Sequence, residues 1–321
     1  MNLLYNFLKT VPTVIILILF PLIATAQTSL NQELSKYLNK YDLPSIAAAV
    51  IKNGKIVASG ATGTRKYGAK LLITINDRYH IGSDTKAMTS LLAAIMVEEG
   101  RLRWNSTMAE IFPEISEKMT ASIRNVTLEH LLSHTGGIPS DNEKILQIYR
   151  EAMTQDGNLD EMRYWIVKRW SIEPLESMPG SEFAYSNMGY TIAGAMIERA
   201  GGRTWEELIT ERVFAPLGMK NAGLGHQSSL GKIDAPLGHI ITEGKIKPFL
   251  AGPNGDVPTI LGPAGGAHMS ILDFARWAGW NAGEGGRKPF IVKTETIRKL
   301  HKPITSMPPK KDAPPGTPPG G

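Results

Sequence analysis

The 321-residue chain has 35 Lys and Arg against 30 Asp and Glu, a formal charge of +5, and its hydrophobic fraction of 42% is ample for a core. Its basic residues are scattered rather than clustered with aromatic residues, which argues against a nucleic-acid partner. The chain contains no cysteine, and this excludes disulfides, thiolate metal sites and a cysteine nucleophile.

The first 26 residues have the pattern of a secretory signal peptide. Lys9 precedes an apolar run at residues 14–20, and Ala-Thr-Ala at residues 24–26 is a small-x-small cleavage site. The run is short for a membrane span, although an uncleaved anchor is the alternative. We therefore predict a periplasmic or secreted protein that has no stable membrane span once the signal peptide is removed.

A helix and a hairpin are predicted next. Residues 29–41 carry apolar side chains at helical spacing. Two apolar runs, at residues 46–51 and 56–58, flank Asn53-Gly54, and Asn-Gly between such runs is a strong hairpin signal. A further extended segment is predicted at residues 72–75.

Ser83 and Lys86 lie where this extended segment meets a strongly patterned helix, which is predicted to end near Gly100. Three residues apart, the two side chains share one helix face. A serine hydroxyl becomes nucleophilic when a base takes its proton, and a lysine with a lowered pKa can be that base. The other interpretation of this pair is a serine N-cap followed by a surface lysine.

The middle of the chain is predicted to be mostly helical. One short helix at residues 127–134, with Thr127 as its N-cap, carries His130 and His134 at a spacing that can bind zinc. Leu131 stands where a zinc metalloprotease has its glutamate, and no third ligand is evident. We predict core or capping roles for both histidines and no metal.

The rest of the chain completes an α+β pattern. Helices are predicted at residues 143–153, 159–170, 189–200, 204 onward and 270–280, with a strand-like piece at 239–241. From residue 301 onward the sequence is rich in Pro, Gly and Lys and cannot bury a face. This order predicts an antiparallel sheet with a mostly helical insert, not a doubly wound parallel sheet.

Four stretches, taken together and in order, resemble the serine β-lactamase and penicillin-binding-protein superfamily in its class C-like branch. They are residues 78–86, which end in Ser-Asp-Thr-Lys, 128–139, 185–187, which read Tyr-Ser-Asn, and 263–266, which read Pro-Ala-Gly-Gly. The resemblance extends from residue 29 to 303. It implies a β-lactamase/transpeptidase-like fold.

The resemblance also implies a catalytic site that needs no cofactor. Ser83 would be the nucleophile that forms an acyl-enzyme, Lys86 would help to deprotonate it, and Tyr185 would shuttle protons between the serine and the leaving group. Asn187 would bind the substrate amide or the lysine. Considered alone, Tyr185 could be a half-buried turn tyrosine and Asn187 an N-cap of the next helix.

The sequence departs from the family at its C-terminal end. The family's third motif, Lys-Thr-Gly or His-x-Gly on a strand, is not found after Asn187, and His-Thr-Gly at residues 134–136 ends a helix and comes too early. We expect a chain truncated before this motif, with the C-terminal strands missing. Residues 27–303 would then be an incomplete hydrolase domain, and residues 304–321 a Pro/Gly-rich tail or truncated loop.

These residues predict an exported serine hydrolase that acts through an acyl-enzyme on an amide or ester carbonyl. A β-lactam, a D-amino-acid peptide and a carboxylic ester remain open as its small-molecule or peptide substrate. The alternative is a catalytically inactive envelope protein that binds peptidoglycan fragments or a partner. Neither the activity of a chain without the third motif nor the oligomeric state follows from the sequence.

Overall fold

In the computed structural model, the described residues are 28–249, 257–283 and 288–306. The predicted signal peptide and residues 307–321 lie outside them. Within these ranges, helices are combined with short and mostly antiparallel strands, which confirms the predicted α+β class. None of the helices described here is long and apolar enough to cross a membrane.

A three-stranded sheet and one helix form the N-terminal part. They are β1 (Thr28–Ser29), α1 (Asn31–Lys40), β2 (Ser45–Lys52) and β3 (Lys55–Gly63), and the strand order is β1-β3-β2. Strands β2 and β3 are antiparallel and are joined at Asn53-Gly54, where both residues have positive φ, as a tight hairpin turn requires. The predicted hairpin is confirmed, and so is the helix, which is slightly shorter than predicted.

The strand or extended segment predicted at residues 72–75 is confirmed only at its start, and it does not form a full strand. Leu72 makes a single antiparallel bridge with Thr64, and the chain then turns. The carboxylate of Asp77, which is 6% exposed, closes this region by accepting hydrogen bonds of 2.7 and 2.8 Å from Arg65. The run ends in a local turn, where Asp77 N–H donates to the carbonyl oxygen of Thr74 at 3.1 Å and the Thr74 hydroxyl donates to the Asp77 carboxylate at 3.1 Å.

A second small sheet connects distant parts of the chain. The remaining strands are β4 (Arg78–His80), β5 (Gly223–Leu224), β6 (Gly238–Thr242), β7 (Lys245–Phe249) and β8 (Ala267–Ser270). Strand β8 lies between β4 and β5 and is antiparallel to both, so it fixes the segment that leads to Ser83 against the C-terminal third. Strands β6 and β7 form a hairpin that contains the strand predicted at residues 239–241.

The helices build most of the core. They are α2 (Thr85–Glu98), α3 (Met108–Ile111), α4 (Ala121–Arg124), α5 (Leu128–Leu132), α6 (Glu143–Ala152), α7 (Leu159–Trp170), α8 (Asn187–Gly201), α9 (Trp205–Ile209), α10 (Gly262–Gly265), α11 (Ile271–Asn281) and α12 (Thr294–Leu300). Helix α8 is central, because its residues 188–198 are all buried and it packs against α2, α5, α7 and α10. A helix apolar on all sides is typical of such a position.

Candidate active site

Ser83 lies in a short 3₁₀ turn, Gly82–Asp84, between β4 and α2. Gly82 has φ +53°, in the left-handed region, which allows the chain to turn sharply out of the strand. Ser83 is exposed, whereas Lys86 in the first turn of α2 is only 6% exposed. The alternative of a serine N-cap followed by a surface lysine is therefore wrong.

The turn is fixed by the side chain of Thr85, which is fully buried. Its hydroxyl donates to the carbonyl oxygen of Gly82 at 2.7 Å and accepts from the backbone N–H of Ala267 at 3.1 Å. Because Ala267 begins β8, these two bonds hold the turn that carries Ser83 against the second sheet. The exposed serine thus stands on a rigid support, as a positioned nucleophile requires.

Lys86 is surrounded by neutral acceptors. Its Nζ donates to Ser83 Oγ at 3.3 Å, to Asn187 Oδ1 at 2.7 Å and to the carbonyl oxygen of Ala264 at 2.7 Å. Burial lowers the pKa of Lys86 below its usual value, because a desolvated ammonium is disfavoured. The lysine is therefore suited to lose and regain a proton next to the serine.

The carbonyl of Ala264 reaches Lys86 because α10 packs very closely on α8. A Cβ at Gly194 of α8 would lie 2.4 Å from the ring of Pro263, so this approach requires glycine. The hydroxyl of Thr89 donates to Pro263 O at 2.7 Å and fastens α10 to α2 as well. The Pro-Ala-Gly-Gly stretch therefore supplies a carbonyl oxygen that accepts a hydrogen bond from Lys86, a role that the sequence did not indicate.

The side chain of Tyr185 contacts the hydroxyl of Ser83. Its hydroxyl donates to Ser83 Oγ at 2.5 Å, and Lys86 Nζ lies 4.7 Å from the centre of its ring. The side chain is 38% exposed. The structure thus brings Ser83, Lys86 and Tyr185 together, although they come from separate segments, and the hydroxyl is placed to exchange a proton with the serine oxygen.

Asn187 is not the N-cap of α8. That role belongs to Ser186, whose hydroxyl accepts from Gly189 N–H at 3.1 Å. The amide of Asn187 is therefore available for the site: its Oδ1 accepts from Lys86, and its Nδ2 donates to Asp141 at 2.8 Å. The carboxylate on one side and the ammonium on the other fix which way the amide faces.

His134 holds the segment that carries Tyr185 in place through two hydrogen bonds and a ring contact. Its Nδ1 accepts from the backbone N–H of Ser186 at 3.0 Å, its carbonyl accepts from Ala184 at 2.8 Å, and its ring lies 4.5 Å from that of Tyr185. Burial, with a smaller contribution from Lys86, lowers the pKa of His134 to about 4, so the imidazole is neutral at pH 7.

The other histidine has a purely local role. His130 Nδ1 accepts from the backbone N–H of Thr127 and completes a capping box at the start of α5. With His134 occupied by Ser186, both imidazoles serve the backbone, which confirms the predicted core or capping roles.

Asp141 is a site residue that the sequence analysis missed. It lies in the loop before α6, and besides Asn187 its carboxylate accepts from the hydroxyl of Tyr149 at 3.2 Å. A single aspartate in a polar loop carries no distinguishing signal. The one available hint was its position, two residues beyond the family-like stretch at residues 128–139.

Two cavities of about 400 and 420 Å³ flank Ser83, which lines both. Asp141 and Asn187 lie in the smaller one, together with apolar side chains, whereas Lys86 and Trp104 lie in the larger one. A carbonyl carbon at Ser83 Oγ therefore has room for a substituent on each side. This arrangement suits attack by the serine on a carbonyl group with an acyl part and a leaving group.

Two curated relatives are similar in sequence to this chain over most of its length. Protein flp of Staphylococcus aureus (strain MW2) is 28% identical over 211 residues, which cover 65% of this chain and 41% of flp. Penicillin-binding protein 4 of Amycolatopsis lactamdurans is 26% identical over 247 residues, which cover 77% of this chain and 61% of the relative. The chain thus spans about two fifths of flp.

Solved structures share the fold. The octameric penicillin-binding protein homologue from Pyrococcus abyssi has a TM-score of 0.66 and 27% sequence identity, and the match covers 87% of this chain and 60% of that one. The similarity confirms the predicted β-lactamase/transpeptidase-like fold. The sequence model of the Beta-lactamase family matches residues 30–319, nearly the whole chain, and the chain therefore belongs to the beta-lactamase family.

Proposed function

We propose that this chain is the catalytic part of an exported serine hydrolase, which acts through an acyl-enzyme on an amide or ester carbonyl. Membership of the beta-lactamase family supports a serine-hydrolase-type function. The observation that carries the proposal is the position of one exposed serine oxygen, 2.5 Å from the Tyr185 hydroxyl and 3.3 Å from the Lys86 amine. Nucleophile and base are thus within or near hydrogen-bond reach.

The hydrogen bonds of Lys86 favour its role as the base. A neutral amine has two N–H groups and one lone pair. The fixed acceptors Asn187 Oδ1 and Ala264 O take the two N–H groups, so the lone pair faces Ser83 Oγ. The lowered pKa makes this neutral form easier to reach than for a lysine in water.

In acylation, Ser83 Oγ forms a bond to the carbonyl carbon while its proton passes to Lys86, directly or through the Tyr185 hydroxyl. The bond from this carbon to the leaving nitrogen or oxygen then breaks, and Tyr185 gives the leaving atom a proton, which Lys86 restores to it. Water later attacks the acyl carbon, releases the acid and returns the proton to Ser83. No net proton is gained or lost by the three side chains over this cycle.

We further propose a substrate class and a location for this hydrolase. The family description and the penicillin-binding relatives support a β-lactam or a peptide as acyl donor, and a carboxylic ester fits the same chemistry. Export is proposed from the signal-like residues 1–26, so the hydrolase would act in the periplasm or the medium.

The test is the intact mass of the chain after incubation with a fluorescent penicillin and, separately, with a fluorophosphonate. We expect an adduct that disappears in Ser83→Ala but persists in Ser90→Ala, a matched control on α2 whose serine lines the same larger cavity. If both reagents fail to label the chain, the proposal is wrong.

The alternative of an inactive envelope protein is motivated by the absence of Lys-Thr-Gly or His-x-Gly after Asn187 in the 321 residues. It predicts binding of peptidoglycan fragments with no covalent adduct. This binding, measured by calorimetry, would be the same in the wild-type chain and in Ser83→Ala. Covalent labelling at Ser83 would exclude it.

A further inference from the structure

We propose that Asp141 and Tyr149 are positioning residues for the reaction at Ser83. Tyr149 holds the carboxylate of Asp141, which fixes the direction of the Asn187 amide. That amide in turn directs the lone pair of Lys86 at the serine oxygen. This inference rests on the proposed function, since it concerns how the same serine is activated. Its basis is a continuous chain of hydrogen bonds from α6 to the nucleophile.

Both oxygens of the Asp141 carboxylate have donors. Oδ2 accepts from Asn187 Nδ2 at 2.8 Å, and Oδ1 accepts from the hydroxyl of Tyr149 at 3.2 Å. Tyr149 is 2% exposed, and burial, together with the charge of Asp141, raises the pKa of its hydroxyl. The hydroxyl therefore stays a protonated donor, and a buried residue of α6 holds a carboxylate that is itself exposed.

The backbone on either side of Asp141 is fixed as well. The hydroxyl of Ser140 donates to the carbonyl oxygen of Tyr185 at 2.6 Å, which ties this loop to the segment that carries the tyrosine. Asn142 is the N-cap of α6, and its side chain accepts from a backbone N–H at 3.0 Å. The carboxylate between them is thus held beside Asn187 from both sides.

The chemistry of a carboxylate explains why an aspartate at this position matters. An ionised carboxylate only accepts hydrogen bonds, whereas a neutral amide side chain both donates and accepts. Asp141 therefore binds the NH₂ end of the Asn187 amide and leaves its oxygen for Lys86. If the amide were reversed, its N–H would donate to the lone pair of Lys86, and the amine would no longer be free to take the proton of Ser83.

Asp141 also acts on Lys86 through its charge. Burial is the largest influence and lowers the pKa of Lys86, whereas Tyr185 and the negative charge of Asp141 oppose this effect. The other titratable groups that face the amine are the rings of Tyr185 and Tyr190, whose centres lie 4.7 and 5.3 Å from Nζ, and His134, which is neutral at pH 7. Neutralising residue 141 should therefore lower the pKa of Lys86 further.

Other charged or titratable side chains line the two cavities at Ser83. They are Asp84, Glu129, Arg150, Lys299 and His301. Glu129 accepts from Lys299 at 2.5 Å, and Arg150 makes an ion pair of 2.7 Å with Glu143. These groups are the same in the wild type and in Asp141→Asn, so their influence cancels when the two proteins are compared.

The test measures the rate constant for labelling by a fluorophosphonate as a function of pH, in the wild type, Asp141→Asn and Tyr149→Phe. In this reaction Ser83 Oγ bonds to phosphorus, fluoride leaves and the serine proton passes to the base. The reagent has no acyl amide beside its phosphorus for Asn187 to bind. Its rate therefore reports the activation of the serine rather than the recognition of an acyl group.

Two matched controls are available. Glu143→Gln neutralises a carboxylate in the same segment that lies outside both cavities at Ser83. Tyr164→Phe removes a hydroxyl that donates to another carboxylate, Glu114, at 2.7 Å, and neither of these residues lines the cavities. Both controls should be labelled at the wild-type rate with the wild-type midpoint.

We expect Asp141→Asn to lower the plateau rate at high pH about tenfold or more, as for the loss of one charge-assisted hydrogen bond. An asparagine presents either a donor or an acceptor, so it no longer fixes the Asn187 amide. The midpoint should also move to lower pH, because a negative charge near Lys86 is gone. Tyr149→Phe should lower the plateau by only about two- to fivefold and leave the midpoint unchanged, because the carboxylate keeps its charge.

A double-mutant cycle shows whether Asp141 acts through Asn187. In the Asn187→Ala background, Asp141→Asn should have little further effect on the plateau, whereas a merely structural role would give the same loss in both backgrounds. Equal losses, or a plateau and midpoint in Asp141→Asn that match the wild type, would overturn the inference and leave the proposed function standing. If neither the fluorophosphonate nor the penicillin labels the wild-type chain, the proposed function fails and the inference with it.

Discussion

Lys86 and Arg163 are both buried basic side chains, but they differ in their hydrogen-bond partners. We propose that the first serves catalysis, and we expect the second to stabilise the fold. Lys86 is 6% exposed and Arg163 is 0% exposed. All three hydrogen-bond partners of the lysine are neutral. The arginine instead contacts two carboxylates, at 2.5 Å to Glu198 and 2.6 Å to Glu206.

The partners decide the protonation of each group. Burial lowers the pKa of Lys86, and within residues 28–249, 257–283 and 288–306 no carboxylate contacts it to reverse the effect. Burial also lowers the pKa of Arg163, but the charges of Glu198 and Glu206 outweigh it, and the net change is upward. A buried cation without a contacting anion therefore loses its proton more easily than one in water, whereas one between two carboxylates stays charged and holds helices together.

Lys86→Met should have the largest effect on activity and a small effect on stability. Removing the base should lower the acylation rate by about 10⁴-fold. The free energy of unfolding should change by only about 1 kcal/mol, because the loss of three hydrogen bonds is offset by the loss of a desolvated charge. Adduct formation by mass spectrometry and urea unfolding measure the two effects. A large loss of stability would mean that Lys86 is a structural cation instead.

Arg163→Met should show the reverse pattern in stability. It leaves Glu198 and Glu206 without their cation, so we expect a loss of about 3–5 kcal/mol in urea unfolding. The triple variant with Glu198→Gln and Glu206→Gln is the control and should recover part of this loss, because the unpaired charges are gone. If Arg163→Met alone costs less than about 1 kcal/mol, the ion cluster is not what joins α7 to α8 and α9.

His134→Asn tests a neutral buried group on the Tyr185 side of the site. Asparagine tolerates the positive φ of 59° at this position and can accept from Ser186 N–H. The pKa of His134 is about 4 in the fold against 6.5 unfolded, so its contribution to stability is complete above pH 6.5 and is lost as the pH falls towards 4.

Between pH 7.5 and 4.5, the wild type should therefore lose about 1–3 kcal/mol more than His134→Asn in urea unfolding. Other groups that titrate in this range are common to both proteins and cancel. Equal losses in the two proteins would show that His134 keeps an ordinary pKa in the fold.

The smallest effect is expected in the pH dependence of the acylation rate. This measurement tests directly whether Lys86, unlike Arg163, has a lowered pKa. If Lys86 acts as the base in its neutral form, as proposed, the rate should rise about tenfold per pH unit and level off above the pKa of Lys86. Because this pKa is lowered, the midpoint should fall below 10.5. Stopped-flow labelling with a fluorescent penicillin measures it. A midpoint at or above 10.5 would contradict the lowered pKa.

The local features of this protein were predictable because they depend on neighbouring residues. Asn53-Gly54 forms a tight turn, and Thr127 caps its helix as expected. Of the strand or extended segment predicted at residues 72–75, only Leu72 pairs with another segment, because the chain turns between Thr74 and Asp77. Propensity describes only the local part of the folding free energy.

The candidate site also has features that the sequence predicts and features that depend on tertiary contacts. The sequence by itself determined the family, the order of the motifs and the choice of Ser83, Lys86, Tyr185 and Asn187 as candidate residues. Only the tertiary structure decided that the lysine is buried, that Ala264 supplies a carbonyl to it and that Asp141 lies beside Asn187. The physical reason is that these contacts join residues 46 to 178 positions apart, and they exist only because α2, α8 and α10 pack around one core.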